Sequence, residues 1–227
     1  MAIAVLDVDL EDIPAEFAEL EAYDHALVLI RFKGYPVGQT YCKLNNGQPQ
    51  TEDFTSMLVN ACGEPLWNEW LYEKIGWQER PGIGQPLPPS TIAVCTRNRT
   101  DDLRRCLDAL IALPDDGQEY LVIDNCPSDN STRNLVATYA GVRYVLEPRP
   151  GLNIARNRAL SESKHSIVAF TDDDAIPDKR WLRSLLVNFH DPMVACVTGL
   201  TMPVELESYG QITFEKYSPF GKGFMRR

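Results

Sequence analysis

The 227-residue sequence predicts an α/β protein: a mostly parallel sheet flanked by helices, with a small N-terminal α+β module ahead of it. Three observations carry this expectation. From residue 91 onward, short apolar runs of strand length alternate with amphipathic segments of helical period. Residues 78–90 contain Pro81, Gly82, Gly84, Pro86, Pro88 and Pro89, a stretch that resists both helix and sheet and serves as a linker between residues 1–77 and 91–227. The segments that follow successive apolar runs are polar, as the ligand-binding edge of a parallel sheet requires.

Residues 1–24 are acidic with interspersed apolar positions, and the spacing of Phe17 and Leu20 predicts a short helix after Pro14. His25 to Phe32 reads as a strand, Lys33-Gly34-Tyr35-Pro36 as a turn, and Val37 to Leu44 as the returning strand of a hairpin. Asn45-Asn46-Gly47 marks a loop. Phe54, Met57, Leu58, Ala61, Leu66, Trp67, Trp70 and Leu71 recur at helical spacing broken by Gly63 and Pro65, which predicts two helices with the tryptophans in the core.

Beyond the linker, Thr91 to Thr96 is a continuous apolar run of the kind buried on both faces of a parallel sheet. The next helix places Leu103, Cys106, Leu107, Leu110 and Ile111 on one side, with Asp101 and Asp102 near its N-terminus, where the helix dipole favours acids. Tyr120 to Ile123 predicts a second strand ending at Asp124, followed by a helix around Leu135. Val142 to Leu146 predicts a third, followed by a helix bearing Leu152, Ala155, Ala159 and Leu160. Ser166 to Thr171 predicts a fourth strand ending in Asp172-Asp173-Asp174. A helix with Trp181, Leu182, Leu185, Leu186 and Phe189 inward then leads to a fifth strand at Val194 to Val197. Right-handed crossovers place Thr96 to Arg99, Asp124 to Asp129, Glu147 to Gly151 and Asp172 to Asp174 along one edge.

Composition narrows the chemistry. A formal charge of −10 disfavours a nucleic-acid partner, because phosphate polymers reward basic surfaces. Residues 1–90 hold 14 acids and 5 bases, and residues 91–227 hold 18 and 17, so nearly all the excess lies before the second region. The second region carries Arg97, Arg99, Arg149 and Arg156 near its expected ligand loops, which suits a small anion such as a diphosphate. No apolar run approaches the roughly 20 residues of a membrane-spanning helix. Met1 to Asp7 lacks a basic leader, so the expected compartment is the cytoplasm, with attachment at the inner membrane face left open. The six cysteines show no C-x-x-C pair and read as reduced thiols.

Neither G-x-G-x-x-G nor G-x-x-x-x-G-K-[ST] follows any expected strand, and His25, His165 and His190 lie in unrelated segments. Three consecutive carboxylates at a strand end repel one another unless a cation or ligand compensates them, and Mg²⁺ or Mn²⁺ bridging to a diphosphate is the hard-ligand solution. The alternative at this point is a solvated turn that caps the next helix.

Taken in order, T-I-A-V-C-T-R-N-R, V-I-D-N-C-P-S-D-N-S-T, G-L-N-I-A-R-N-R-A-L and V-A-F-T-D-D-D-A-I-P-D resemble the nucleotide-sugar-binding half of the GT-A fold, the Rossmann-like fold of family 2 inverting glycosyltransferases. The resemblance spans residues 91–200. It implies that Thr96, Arg97, Asn98 and Arg99 contact base and ribose, that Asp124 pairs with a base N–H, and that Arg156 and Asn157 match an A-R-N element beneath the site. Asp172 and Asp174 match the D-x-D motif, with Asp172 toward the ribose, Asp174 toward a Mn²⁺ or Mg²⁺ ion, and Asp173 at its variable middle position.

The implied reaction is hexosyl transfer from a UDP-, GDP- or dTDP-sugar to the hydroxyl of an unknown acceptor. The implied general base belongs to a later E-D element that Glu205, Glu207 and Glu215 do not match, so the expectation is a chain truncated before its acceptor-binding half. A nucleotide-sugar binder without turnover is the alternative.

Overall fold

A computed structural model describes residues 2–51, 53–75, 86–221 and 223–224. They group into two compact units, Met1–Glu79 with Leu200–Arg227, and Arg80–Gly199. Most of the predicted linker lies outside the described residues, and its last residue, Ser90, already begins a strand.

The first unit contains a four-stranded mixed sheet of order β1-β2-β3-β4, made of β1 (Ala4–Asp9), β2 (His25–Phe32), β3 (Tyr35–Asn45) and β4 (Gln48–Pro49). Ala26 through Ile30 are all buried, because β2 lies inside that order and both of its faces are covered. The β2–β3 hairpin turns at Lys33 and Gly34, both at positive φ (53° and 77°), the conformation that two-residue hairpin loops favour. The Asp9 carboxylate accepts from the backbone N–H groups of both. Helices α1 (Phe54–Cys62) and α2 (Glu64–Lys74) follow, separated at Gly63 as predicted. α1 lies so close to β3 that a Cβ on Gly38 would stand 2.9 Å from the Cys62 Cα.

Two expectations for this unit need correction. The helix after Pro14 does not form: the Gln48 side chain satisfies both the N–H (3.0 Å) and the C=O (2.7 Å) of Phe17, replacing helical hydrogen bonds. The tryptophans are not core residues either. Trp67 is 62% and Trp70 42% exposed, packed edge to face against each other, because α2 buries only Leu66.

The second unit is a four-stranded, all-parallel sheet of order β7-β6-β5-β8. In chain order its elements are β5 (Ser90–Thr96), α3 (Thr100–Ile111), β6 (Glu119–Asn125), α4 (Ser131–Val136), β7 (Val142–Glu147), α5 (Leu152–Glu162), β8 (Ile167–Asp172) and α6 (Trp181–Leu186), the last continuing as a 3-10 turn to His190. Ile92, Val94, Val122 and Ala169 pack on α3, α4 and α6, whereas Ala93, Leu121 and Ile123 pack on Ala155 and Ala159 of α5. Successive strand residues therefore face opposite helical layers, and both layers need apolar positions.

The predicted fifth strand is absent. Val194 to Val197 is irregular, with Ala195 and Cys196 exposed, so the run brings no buried face to a sheet edge. Leu152, Leu160 and Ile111 are likewise exposed rather than inward. All six cysteines are free; Cys42, Cys62 and Cys106 are buried, and Cys196 is exposed.

The final helix, α7 (Tyr209–Tyr217), belongs to the first unit. It starts in a capping box in which Ser208 Oγ accepts from Gln211 N and Gln211 Oε1 accepts from Ser208 N. The same segment reaches the N-terminal strand region through Ile3 N to Leu206 O (2.9 Å) and Tyr23 Oη to Glu207 Oε1 (2.6 Å). No helix among the described residues is long and apolar enough to cross a membrane.

Candidate functional site

The strand order reverses beside β5, from β6 and β7 on one side to β8 on the other, which is the topological switch point at which open parallel sheets bind ligands. An open cleft of about 410 Å³ lies there. Its walls are the end of β5 and the loop after it (Cys95, Thr96, Arg97, Arg99), Asn125, the start of α5 (Gly151, Leu152, Ala155) and the three aspartates.

Strand alternation splits the aspartates. Asp172 pairs in register with Cys95 and points with it toward the α5 side, where Arg156 Nη2 approaches Asp172 Oδ1 at 3.6 Å. Asp173, one residue on, turns the opposite way and is buried: Thr96 Oγ1 donates to it at 2.7 Å and Arg99 Nη1 at 2.8 Å. Burial pushes its carboxyl up, while the Thr96 hydroxyl and the Arg99 guanidinium pull the other way. Asp174 is half exposed and meets Arg99 Nη2 at 3.0 Å. Arg99 also contacts Asp102 of α3, so one guanidinium faces three carboxylates.

The remaining predicted residues divide between cleft and scaffold. Arg97 lines the cleft, and among the described residues its guanidinium forms no ion pair. Asn98, at φ 56°, does not line the cleft; its Oδ1 accepts from the backbone N–H and hydroxyl of Ser128 and fixes the loop after β6. Asp124 is fully buried on the α3–α4 side, where Tyr144 Oη donates to it at 2.8 Å. Burial raises its carboxyl, opposed by the Tyr144 and Thr132 hydroxyls.

The neighbour of Asp124, Asn125, lines the cleft instead. Its amide donates to Arg149 O (2.7 Å) and accepts from Gly151 N (2.9 Å), which holds the loop between β7 and α5 in place. In that loop Arg149 grips the buried Glu147 through Nε and Nη2, and together with its own N–H it pulls the carboxyl down to about 2. Arg149 is thus committed to the wall rather than to the cavity.

Asn125 and Gly151 lie in loops that the sequence places on the ligand edge, but their roles, the Cys95 wall and the convergence of Arg99 on three carboxylates are not legible there. Period-2 alternation held part of the signal: Asn125 shares its parity with Leu121 and Ile123, and Asp124 shares its parity with Val122.

Chemically, the cleft offers carboxylate oxygens and guanidinium groups. The Cys95 thiol is pushed up to about 11 by burial and is not a thiolate nucleophile at neutral pH. Among the described residues no three His, Cys, Asp or Glu side chains form a closed metal cage. The donor set fits a different kind of site. Asp172 and Asp174 offer two exposed hard oxygen donors, 73% and 51% accessible, and Mg²⁺-type ions are held by one or two carboxylates with water and ligand phosphates completing the shell.

Comparison with known proteins identifies the family of this sheet and its loops. The model of the family described as glycosyl transferase family 2 matches residues 91–225, more than half of the chain. The chain is 32% identical over 126 residues to the pre-mycofactocin glycosyltransferase of Mycobacterium tuberculosis, covering 51% of this chain and 25% of that protein. It is 28% identical over 102 residues to glycosyltransferase AglE of Haloferax volcanii, covering 42% and 34%. The chain therefore spans about a quarter to a third of the length of these relatives.

Among solved structures, the mannosyltransferase PcManGT from Pyrobaculum calidifontis, in complex with GDP-Man and Mn²⁺, superposes with a TM-score of 0.43 at 27% identity, covering 60% of this chain and 44% of that one. S. aureus TarS (residues 1–349) gives 0.41 at 23% identity, covering 51% and 38%. On the family match across residues 91–225, which takes in the sheet, the cleft loops and all three aspartates, the chain belongs to glycosyl transferase family 2.

Proposed function

We propose that this chain binds a nucleotide-sugar donor in the cleft beside β5 and serves transfer of the sugar to an acceptor hydroxyl with departure of the nucleoside diphosphate. The observation that carries the reading is the meeting of two exposed carboxylates, Asp172 and Asp174, with Arg97, Arg99 and Arg156 at the switch point of a parallel sheet. Guanidinium groups and a carboxylate-bound cation together compensate a diphosphate, which neither glycine-rich backbone nor zinc chemistry does here.

In this reading Thr96 and Arg97 face the base and ribose, Asp172 orients the ribose, and Asp174 with Asp172 holds the divalent ion. Asn98, Asp124 and Asn125 shape the loops around the ligand. Asp173 sets the position of its two neighbours. A bound Mn²⁺ or Mg²⁺ would supply neutralisation of the charge developing on the leaving diphosphate, on the order of several kcal/mol.

Donor binding without turnover is the second reading; of the later carboxylates, Glu207 accepts from Tyr23 Oη and Glu205 from Gln211 Nε2. Calorimetry with UDP, GDP and dTDP, with and without Mn²⁺, tests the shared site. Metal-dependent binding that weakens at least tenfold in Asp174→Ala is expected; binding indifferent to both metal and Asp174 would remove the proposal. Release of free nucleoside diphosphate from a sugar donor in the presence of an acceptor separates the two readings.

A further inference from the structure

Arg99 presents a complete fork to the acid cluster. Its Nε and Nη2 lie 3.1 and 3.0 Å from Asp102 Oδ2, its Nη1 lies 2.8 Å from Asp173 Oδ1, and Nη2 lies 3.0 Å from Asp174 Oδ2. These contacts are unequal. Asp173 is only 8% exposed and is also fixed by Thr96 Oγ1, and Asp102 sits in the first turn of α3, tied further to Arg105. Asp174 is 51% exposed and meets Arg99 through a single oxygen. The guanidinium is therefore parked by two partners that do not depend on the third, and its arm toward Asp174 is the exchangeable one.

We infer that Arg99 is a built-in counter-cation for the acid cluster, occupying Asp174 when no divalent ion is bound and yielding it when the ion arrives while remaining on Asp173 and Asp102. Without such a cation, three adjacent carboxylates would repel one another and Asp174 would swing into solvent. With it, the carboxylates stay preorganised, and the ion must displace one arm of the fork. The cost is lower intrinsic metal affinity, because a fixed positive charge stands beside the ion. The inference rests on the reading of Asp174 as an ion ligand and assigns Arg99 a positioning role rather than a contact to base or ribose.

The test is Mn²⁺ titration of the full 227-residue chain by calorimetry, without nucleotide, on wild type, Arg99→Gln, Arg99→Lys and Asp174→Ala, with thermal melts alongside. Arg99→Gln is expected to bind Mn²⁺ about tenfold more tightly, since a unit charge a few ångströms from a divalent ion is worth about that much in a solvent-exposed site. Arg99→Lys keeps the charge near Asp173 but lacks the arm that occupies Asp174, so it should melt near wild type and bind Mn²⁺ with an affinity between wild type and Arg99→Gln. It keeps the question open to measurement should the glutamine variant fold poorly.

Mn²⁺ bound through Asp174 in wild type, lost in Asp174→Ala, but unchanged or weakened in both Arg99 variants would overturn the inference and leave the underlying ion site standing. Absence of Mn²⁺ binding from wild type and both Arg99 variants would overturn the two together.

Discussion

The two ends of the parallel sheet handle charge differently. At the N-terminal end of the strands, Glu119 is nearly buried and saturated: Thr91 Oγ1 donates at 2.8 Å, Arg143 Nε at 2.9 Å and Lys164 N at 3.0 Å. Burial pushes this carboxyl up, but those donors more than offset it and hold it below its ordinary range. Ser163 Oγ and His165 Nδ1 complete the cluster around Thr91, which joins β5, β6, β7 and the turn before β8. At the C-terminal end, Asp172 and Asp174 are largely exposed, and Arg97 forms no ion pair among the described residues. The N-terminal end uses its charges to close the structure; the C-terminal end does so with Asp124, Glu147 and Asp173 but leaves Asp172, Asp174 and Arg97 available. Site residues in this fold are therefore distinguished by unfinished partnerships rather than by charge alone.

The sharpest way to break that comparison is to remove Glu119. Glu119→Ala leaves Arg143 and Thr91 without their shared acceptor and should destabilise by about 3 kcal/mol, seen as a fall of roughly 10 °C in Tm. Nucleotide affinity of the still-folded protein should stay within about twofold. Loss of binding at an unchanged Tm would mean the two ends do not divide the work as described.

A smaller effect is expected at Asp124, the charge buried closest to the cleft without lining it. Its carboxyl is raised in the folded state, so its contribution to stability is fully present below the ordinary carboxylate pKa and is lost as pH rises through the raised folded value. Asp124→Asn keeps an acceptor for Tyr144 Oη and removes the buried charge, so it should match wild type at acid pH and be equal or more stable, by about 1 kcal/mol, near neutrality. Denaturant melts at the two pH values check this; a large loss at neutral pH would give the charge a role that its surroundings do not show.

The smallest effect concerns the cleft wall. Glu147 is held at about 2 against an ordinary 4.5, so its stabilisation is present above the ordinary value and is lost as pH falls from 4.5 through 2. Arg149→Ala should lose stability at neutral pH, and its difference from wild type should shrink as pH falls from 4.5 through 2 and Glu147 takes up its proton. A variant as stable as wild type at neutral pH would show that the Arg149 grip does not hold the loop.

Much of the site was legible beforehand. The alternation of runs such as Thr91–Thr96 and Ile167–Thr171 with helical segments placed the strand ends on one edge, and that edge is where the cleft lies. What local pattern left open was direction. Asp172 and Asp173 are chemically identical neighbours, yet one faces the cleft beside Cys95 and the other is buried against Thr96, a residue 77 positions away. Trp67 and Trp70 read as core by residue type and are exposed, because α2 contributes only Leu66 to the interior. Val194 to Val197 has strand-forming residues but no partner face, and the Ser208–Gln211 capping box was readable although the sequence reading did not use it.

The sequence by itself determined where strands and helices alternate in the second unit and which of its loops carry acids and arginines, because period and residue type are local properties of the chain. Only the tertiary structure decided which of those charged groups became scaffold and which stayed available. That choice depends on desolvation and on partners such as Thr96, Arg99, Tyr144 and Glu147, and these are brought within hydrogen-bond distance only when distant segments are packed into one sheet.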